Sequence, residues 1–433
     1  MAMRRVWFAL VLCVLVSTTA RAEVLVRWDQ DQLPPPESLG VSSIVVPASN
    51  AALVKTAIAL GYRVYLEVEA KPAAASSPNG AVSGLVVKGS PSAARIAQIR
   101  LQYGVPRGRV VAVNEFGKWP HIRTNWVTKN KDVLQVTGRS AQPWIENNAA
   151  LVRILRAANP SAAPFLTYRW QPITLSDVDE GPSLDDYLVA IAEAGSFGAD
   201  LILPLHERFA RRLVLGEPDA RRDWTEIRRY IEFYSWDLPG RYRPLAAIGV
   251  VAPEPMQHFE ALNLLARHNQ GFHIIAPSAV TASALDGLRL VIVFDPIPAS
   301  ASTVVDEFAR KGGLVHRVSK PVTDPNAFAL EMRRLVGSGH RIIDIWNGIT
   351  VLAAPFRSPD GTAMMVSVLN YAHEDQPVQL RVPGTYAVIQ YESPETPATL
   401  IAPRHRDGFT EFVLPAVRVG GRTFLSQQES RTP

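Results

Sequence analysis

In the first half of this 433-residue sequence, carboxylates and tryptophans recur at the ends of short apolar runs. The run 24–28 ends in Trp28-Asp29, and 63–68 carries Glu67. Residues 109–113 pass directly into Asn114-Glu115, with Trp119 close behind. Residues 164–169 lead into Trp170, and 200–205 into His206-Glu207. Sugars present C–H faces that stack on indoles. Glycosidic bonds are cut by two carboxyl groups, which in the retaining mechanism stand about 5 Å apart, one protonated and one ionised. Glu115 and Glu207 are therefore the candidate catalytic pair. Asn114, Trp28, Asp29, Glu67, Trp119, Trp170 and His206 are the candidates for holding a sugar. Carboxylates on loops are more often simply solvated, so the elements that position them decide the matter.

Eight runs (24–28, 43–47, 63–68, 84–88, 109–113, 133–137, 164–169 and 200–205) are rich in Val, Ile and Leu and read as strands buried on both faces. Helices are predicted between several of them. One spans 51–60, capped by Ser49-Asn50 and stopped by Gly61. Others span 91–103, 149–158 and 184–194, with 221–234 as the last. Strand and helix alternating eight times predict an α/β fold, a TIM-like (β/α)8 barrel, with a doubly wound open sheet as the competitor. A barrel places its active site at the carboxyl ends of the strands, where the candidate residues fall. Beyond Pro239-Gly240 the rhythm restarts on a smaller scale. Strands at 245–251, 272–276, 290–294 and 314–318 and helices at 256–268 and 303–311 predict a three-layer α/β unit, with 326–336 as a connector helix. From His340 onward seven short strands predict a β-sandwich, with a tight turn at Asn347-Gly348. The expected divisions are 1–22, 23–240, 241–339 and 340–433.

A strand ending in Asn114-Glu115 resembles the acid/base motif of the clan A retaining glycoside hydrolases. The resemblance implies that Glu115 protonates the leaving oxygen and that Asn114 holds the sugar 2-hydroxyl. It also implies a nucleophilic Glu three strands further on, the place of Glu207. The clan carries these residues after strands four and seven; here the count is five and eight, with the interval of three kept. The domain order is similar to that of the family 42 β-galactosidases: a barrel, an amidotransferase-like α/β domain and a β-sandwich. In those families the middle domain often lies at subunit contacts, so the resemblance leaves a homo-oligomer open without fixing the oligomeric state.

Residues 1–22 have the three parts of an export signal: a basic start at Arg4 and Arg5, the apolar run 6–16, and Ala20-Arg21-Ala22 before the expected cleavage. A periplasmic or secreted protein with no membrane span after cleavage is expected. Cys13 is the sole cysteine and lies inside that run, so the mature chain would hold no disulfide, thiol nucleophile or cysteine metal site. That excludes amidotransferase chemistry in the middle domain. Removing the segment leaves 42 basic against 40 acidic residues, too balanced for a chain built to neutralise nucleic acid. The nine histidines are scattered and form no ligand spacing, and there is no phosphate loop or dinucleotide fingerprint. No metal or cofactor is expected, and the expected partner is an oligosaccharide or polysaccharide. The alternative from another class is a non-catalytic carbohydrate-binding or assembly module of an envelope polysaccharide pathway.

Overall fold

A computed structural model describes residues 23–70, 82–89, 91–105, 109–113, 117–130, 133–160, 163–171, 179–235, 242–372 and 374–427, with the backbone alone over 123–143. The first ten strands are β1 (Val24–Arg27), β2 (Ser43–Pro47), β3 (Arg63–Glu69), β4 (Gly84–Lys88), β5 (Arg109–Val113), β6 (Gly117–Lys118), β7 (His121–Asn130), β8 (Val133–Glu146), β9 (Phe165–Arg169) and β10 (Asp200–Pro204). Eight of them form one parallel sheet in the order β5-β4-β3-β2-β1-β10-β9-β6. That order is the circular sequence of a barrel opened between its fifth and sixth strands, not the doubly wound alternative.

One barrel strand differs from expectation. The run at 133–137 belongs to β8, which pairs antiparallel with β7 in a long hairpin of its own. Its apolar residues are interspersed with polar ones, as a two-stranded ribbon permits. The sixth place is taken by Gly117–Lys118, which pairs with Tyr168 and Arg169 of β9. Only residues 114–116 separate β5 from β6, whereas a parallel crossover needs a dozen or more. The chain therefore makes no crossover here. Arg109–Val113 pairs with β4 and Gly117–Lys118 with β9, so these two strands form the two edges at the seam of the barrel.

Side-chain alternation builds the two faces of the sheet. Leu25, Val45, Tyr65, Val86, Val111 and Ile202 form a core inside the barrel. Their neighbours Val26, Ile44, Val64, Leu85 and Leu201 point outward into a larger core shared with helix residues such as Leu53 and Leu188. The helices start where the caps foretell. Asn50 accepts from the Leu53 amide, and Ser183 forms a reciprocal capping box with Asp186.

At the amino end, Arg109 crosses the seam. It donates to Glu23 at 2.8 Å and to Asp200 at 2.6 Å, with its guanidinium 4.4 Å over the Phe165 ring. Burial pushes the Asp200 carboxyl up to about 6 against these bonds. A folded value above the usual one means that the Asp200 contribution to stability is lost as pH rises through 6. Gly84 makes this end possible, because a Cβ there would stand 2.4 Å from the Arg109 carbonyl and 2.6 Å from the Tyr65 ring. Gly84→Ala is expected to cost about 2 kcal/mol or more by strand displacement, measurable as a lowered denaturation midpoint.

The middle unit is a four-stranded parallel sheet of Ile248–Val251, Phe272–Ile275, Leu290–Phe294 and Leu314–Val318, in the spatial order second, first, third, fourth. The C-terminal unit stacks a six-stranded sheet on a four-stranded one around Val366, Leu380 and Phe412. Its edge strand, Arg243–Pro244, comes from before the middle unit and pairs with Val351–Arg357. Those two residues thus lie in the sandwich, although the sequence assigns them to the α/β unit. The Asn347-Gly348 turn also differs from a hairpin. Asn347 has φ 58°, as a tight turn requires, but the flanking strands Asp344–Trp346 and Val351–Arg357 belong to different sheets.

Candidate active site at the barrel mouth

The inward alternation that fills the barrel with apolar side chains ends in polar ones at the carboxyl edge. Leu25 is followed inward by Arg27, Tyr65 by Glu67, Val86 by Lys88, and Phe165 by Thr167 and Arg169. A cavity of about 260 Å³ opens there, lined by Arg27, Glu67, Lys88, Val113, Arg169 and Trp170 among others. Glu67 sits between two cations: Arg27 Nε donates to it at 2.8 Å and Lys88 Nζ lies 2.7 Å away. Burial opposes its charge, but the bonds from Arg27 and Lys88 prevail and hold its carboxyl below the usual range. Glu67 is therefore a fixed anion. Asp29 lies at the rim and shares Arg27 at 2.8 Å.

Glu207 stands three residues beyond Pro204, which lines the cavity, as the first residue of the helix Glu207–Leu215. Its side chain is 65% exposed and takes a bond from Arg211 at 2.5 Å. Asn114 and Glu115 lie outside the described residues; Val113, just before them, lines the cavity, and Gly117 follows in β6. His206 occupies the N-cap position of the Glu207 helix without a side-chain capping bond, and its backbone N–H donates to the Tyr187 hydroxyl at 2.9 Å. A Cβ on Gly181 would come within 2.2 Å of the His206 ring, and φ at Gly181 is +73°, so glycine fits there on both counts.

The tryptophans divide. Trp170 lines the cavity and meets Trp119 edge-on at 5.5 Å. Trp119 is buried, also against Tyr168 and Tyr187, and donates to the Asp186 carbonyl. Trp28 is buried as well, its indole N–H shared by the carbonyls of Gln30 and Gln32. Neither Trp28 nor Trp119 offers a face to a ligand. Both are supports, contrary to the stacking expected of them.

Three residues on which the site depends have no signature in the strand-end pattern. Asn148 receives the Lys118 N–H at 2.9 Å and donates to the Lys118 carbonyl at 2.7 Å, acting as a substitute strand for β6. Gly117 allows the approach, since a Cβ would lie 2.8 Å from Asn148 Oδ1. Glu193, wholly buried on the helix Leu184–Ser196, fixes Asn148 in turn. Its Oε1 accepts from the Asn148 amide at 2.8 Å and from the Tyr371 hydroxyl of the sandwich at 2.7 Å. Its Oε2 accepts from Asn148 Nδ2 at 2.7 Å and lies 3.0 Å from the Tyr168 hydroxyl. The Tyr168 hydroxyl has one proton to share between Glu193 Oε2 and the Ala190 carbonyl at 2.9 Å. Burial pushes the Glu193 carboxyl up to about 7 against its hydrogen bonds.

A parallel eight-stranded sheet in barrel order, with a polar cavity at its carboxyl edge, is similar in fold to a solved carbohydrate enzyme. An α-L-fucosidase isoenzyme from Paenibacillus thiaminolyticus superposes with a TM-score of 0.58, covering 94% of this chain and 100% of that one at 9% identity. The likeness to this enzyme is one of fold over nearly the whole of both chains. A rhamnosidase from Novosphingobium sp. PP1Y aligns over 78% of this chain and 38% of its own, at 12% identity and a TM-score of 0.48. A family 42 β-galactosidase from G. stearothermophilus aligns over 87% and 66%, at 8% identity and a TM-score of 0.39. No protein-family model matches the sequence, and no curated protein matches it either. The likeness is thus one of fold alone, at identities too low to transfer residue roles. Among the described residues, no helix is long and apolar enough to cross a membrane, and no three potential metal ligands converge.

Proposed function

We propose that the protein is an exported retaining glycoside hydrolase working at the barrel mouth. Glu115 acts as acid/base, Glu207 as nucleophile, and Asn114 orients the sugar. One observation carries this reading: the residues that introduce both glutamates, Val113 and Pro204, line the same cavity at the carboxyl ends of parallel strands. Trp170 supplies the aromatic wall. Glu67 is excluded from proton transfer because Arg27 and Lys88 keep it charged, so it serves as a hydrogen-bond acceptor for sugar hydroxyls. In the reaction, Glu207 attacks the anomeric carbon while Glu115 protonates the departing oxygen. Water then hydrolyses the glycosyl ester with Glu115 as base.

The chemistry of the solved neighbours directs the first assays, to aryl α-L-fucosides, α-L-rhamnosides and β-galactosides. The test is hydrolysis of that panel with the first-formed anomer read by ¹H NMR. Retention is expected, and inversion would remove Glu207 as nucleophile. A second reading, a non-catalytic carbohydrate-binding barrel, is favoured by the locked Glu67 and by the exposure of Glu207. Retarded migration in polysaccharide gels, together with no hydrolysis of the same polysaccharides, would select it.

A further inference from the structure

A second cavity, of about 400 Å³, lies where the barrel, the middle unit and the sandwich meet. Its walls include Phe272 of the middle unit and Pro355 and Phe356 of the sandwich. Its polar residues are Arg153 and Arg156, one turn apart on the barrel helix Ala149–Ala158, and His273 of the middle unit. Among the described residues no carboxylate lines it. Arg156 is engaged: its Nη2 donates to the carbonyls of Phe197 at 2.7 Å and Gly198 at 3.0 Å. Arg153 lies with its guanidinium 4.3 Å over the Phe272 ring, and its Nη1, out of reach of solvent, meets no acceptor.

Two guanidinium groups on successive turns of one helix, without a carboxylate beside them in the cavity, repel each other, and a buried donor with no acceptor forfeits its hydrogen bond. Arg153 accordingly has its pKa pushed down to about 9, by burial first and then by Arg156. His273 is exposed on the cavity wall, and partial burial, then Arg153 and Arg156, hold it below its ordinary value. An oxyanion in the cavity would lie against the Arg153 and Arg156 guanidinium groups, neutralise the pair and favour the His273 imidazolium as a donor.

We propose that this interdomain cavity is a binding site for a small oxyanion-bearing ligand, a phosphate or a carboxylate, held by Arg153 and His273 with Phe272 and Phe356 as apolar walls. A space of this volume admits a single sugar acid or sugar phosphate. The site is remote from the barrel mouth in its lining residues and stands whether or not the barrel is catalytic.

The test uses the full chain and titrates it with inorganic phosphate, glucuronate and, as the neutral control, glucose. The readouts are calorimetry and the His273 imidazole resonances. Saturable binding of phosphate or glucuronate is expected, with an upward shift of the His273 titration, and no response to glucose. The stronger of the two anions identifies the source. Arg153→Gln should weaken the binding at least tenfold, and Arg153→Lys should retain part of it, with circular dichroism verifying the fold of each. If Arg153→Gln does not fold, His273→Gln serves, with an expected weakening of a few-fold. Absence of saturable binding by either anion to the wild type would overturn the proposal. So would equal affinity in the folded Arg153→Gln or His273→Gln protein.

Discussion

Glu115→Gln and Glu207→Gln are each expected to lower kcat on unactivated glycosides by more than about a thousandfold, with the fold intact. The two losses should differ in kind. An acid/base variant lacks the proton for the leaving oxygen, and a dinitrophenyl leaving group needs none. Glu115→Gln should therefore regain most of its first step on dinitrophenyl glycosides and accumulate the glycosyl ester, because the second step lacks its base. Glu207→Gln lacks the attacking oxygen and should be equally inactive on both substrates. Stability should scarcely change at Glu207, whose side chain is largely exposed and whose ion pair with Arg211 is a surface i,i+4 pair worth under 1 kcal/mol. Unchanged activity in both variants would mean that other carboxylates do the work.

Glu193→Ala is expected to be the most damaging single change to the fold. It strands the Asn148 amide, the Asn148 side chain and the Tyr371 hydroxyl in a dry interior and leaves a cavity. Each abandoned polar group costs about 1–3 kcal/mol, so a loss of about 4 kcal/mol or more is expected by chemical denaturation. Because Asn148 pairs with Lys118, activity should fall further than the unfolded fraction explains. The same carboxyl makes stability depend on pH. Its folded value, about 7, lies above the ordinary 4.5, so the neutral form is the one the fold favours. Its contribution is complete below about 4.5 and is lost as pH rises through 7. Between pH 5 and 8 the wild type should lose about 2–3 kcal/mol relative to Glu193→Gln, which cannot ionise. Parallel stability curves for the two proteins would contradict this protonation state.

Local pattern was a good guide where burial on both faces dictated composition. Seven of the eight expected barrel strands, and the four of the middle unit, lie where apolar runs predict them. It misled where the same pattern has two solutions. The run at 133–137 suits a ribbon as well as a barrel strand, and Gly117–Lys118, two residues long, carries no periodicity. The site was half legible for a related reason. Strand ends point to the mouth, and period-two counting from Leu25, Tyr65 and Val86 would also have found Arg27 and Lys88. Indole count does not reveal burial, so Trp28 and Trp119 looked like sugar platforms although their neighbours consume both faces. Glu193 and Asn148 lie in helix and loop far from the mouth in sequence. Only the fold brings them behind β6.

The most direct test of the two-glutamate mechanism is trapping of the glycosyl ester. The protein would be incubated with a 2-deoxy-2-fluoro dinitrophenyl glycoside of whichever sugar it hydrolyses, digested and sequenced by mass spectrometry. One fluoroglycosyl group on the peptide carrying Glu207, and none in Glu207→Gln, is the expected result. A label on Glu67 or any other carboxylate, or turnover without a trapped ester, would contradict it.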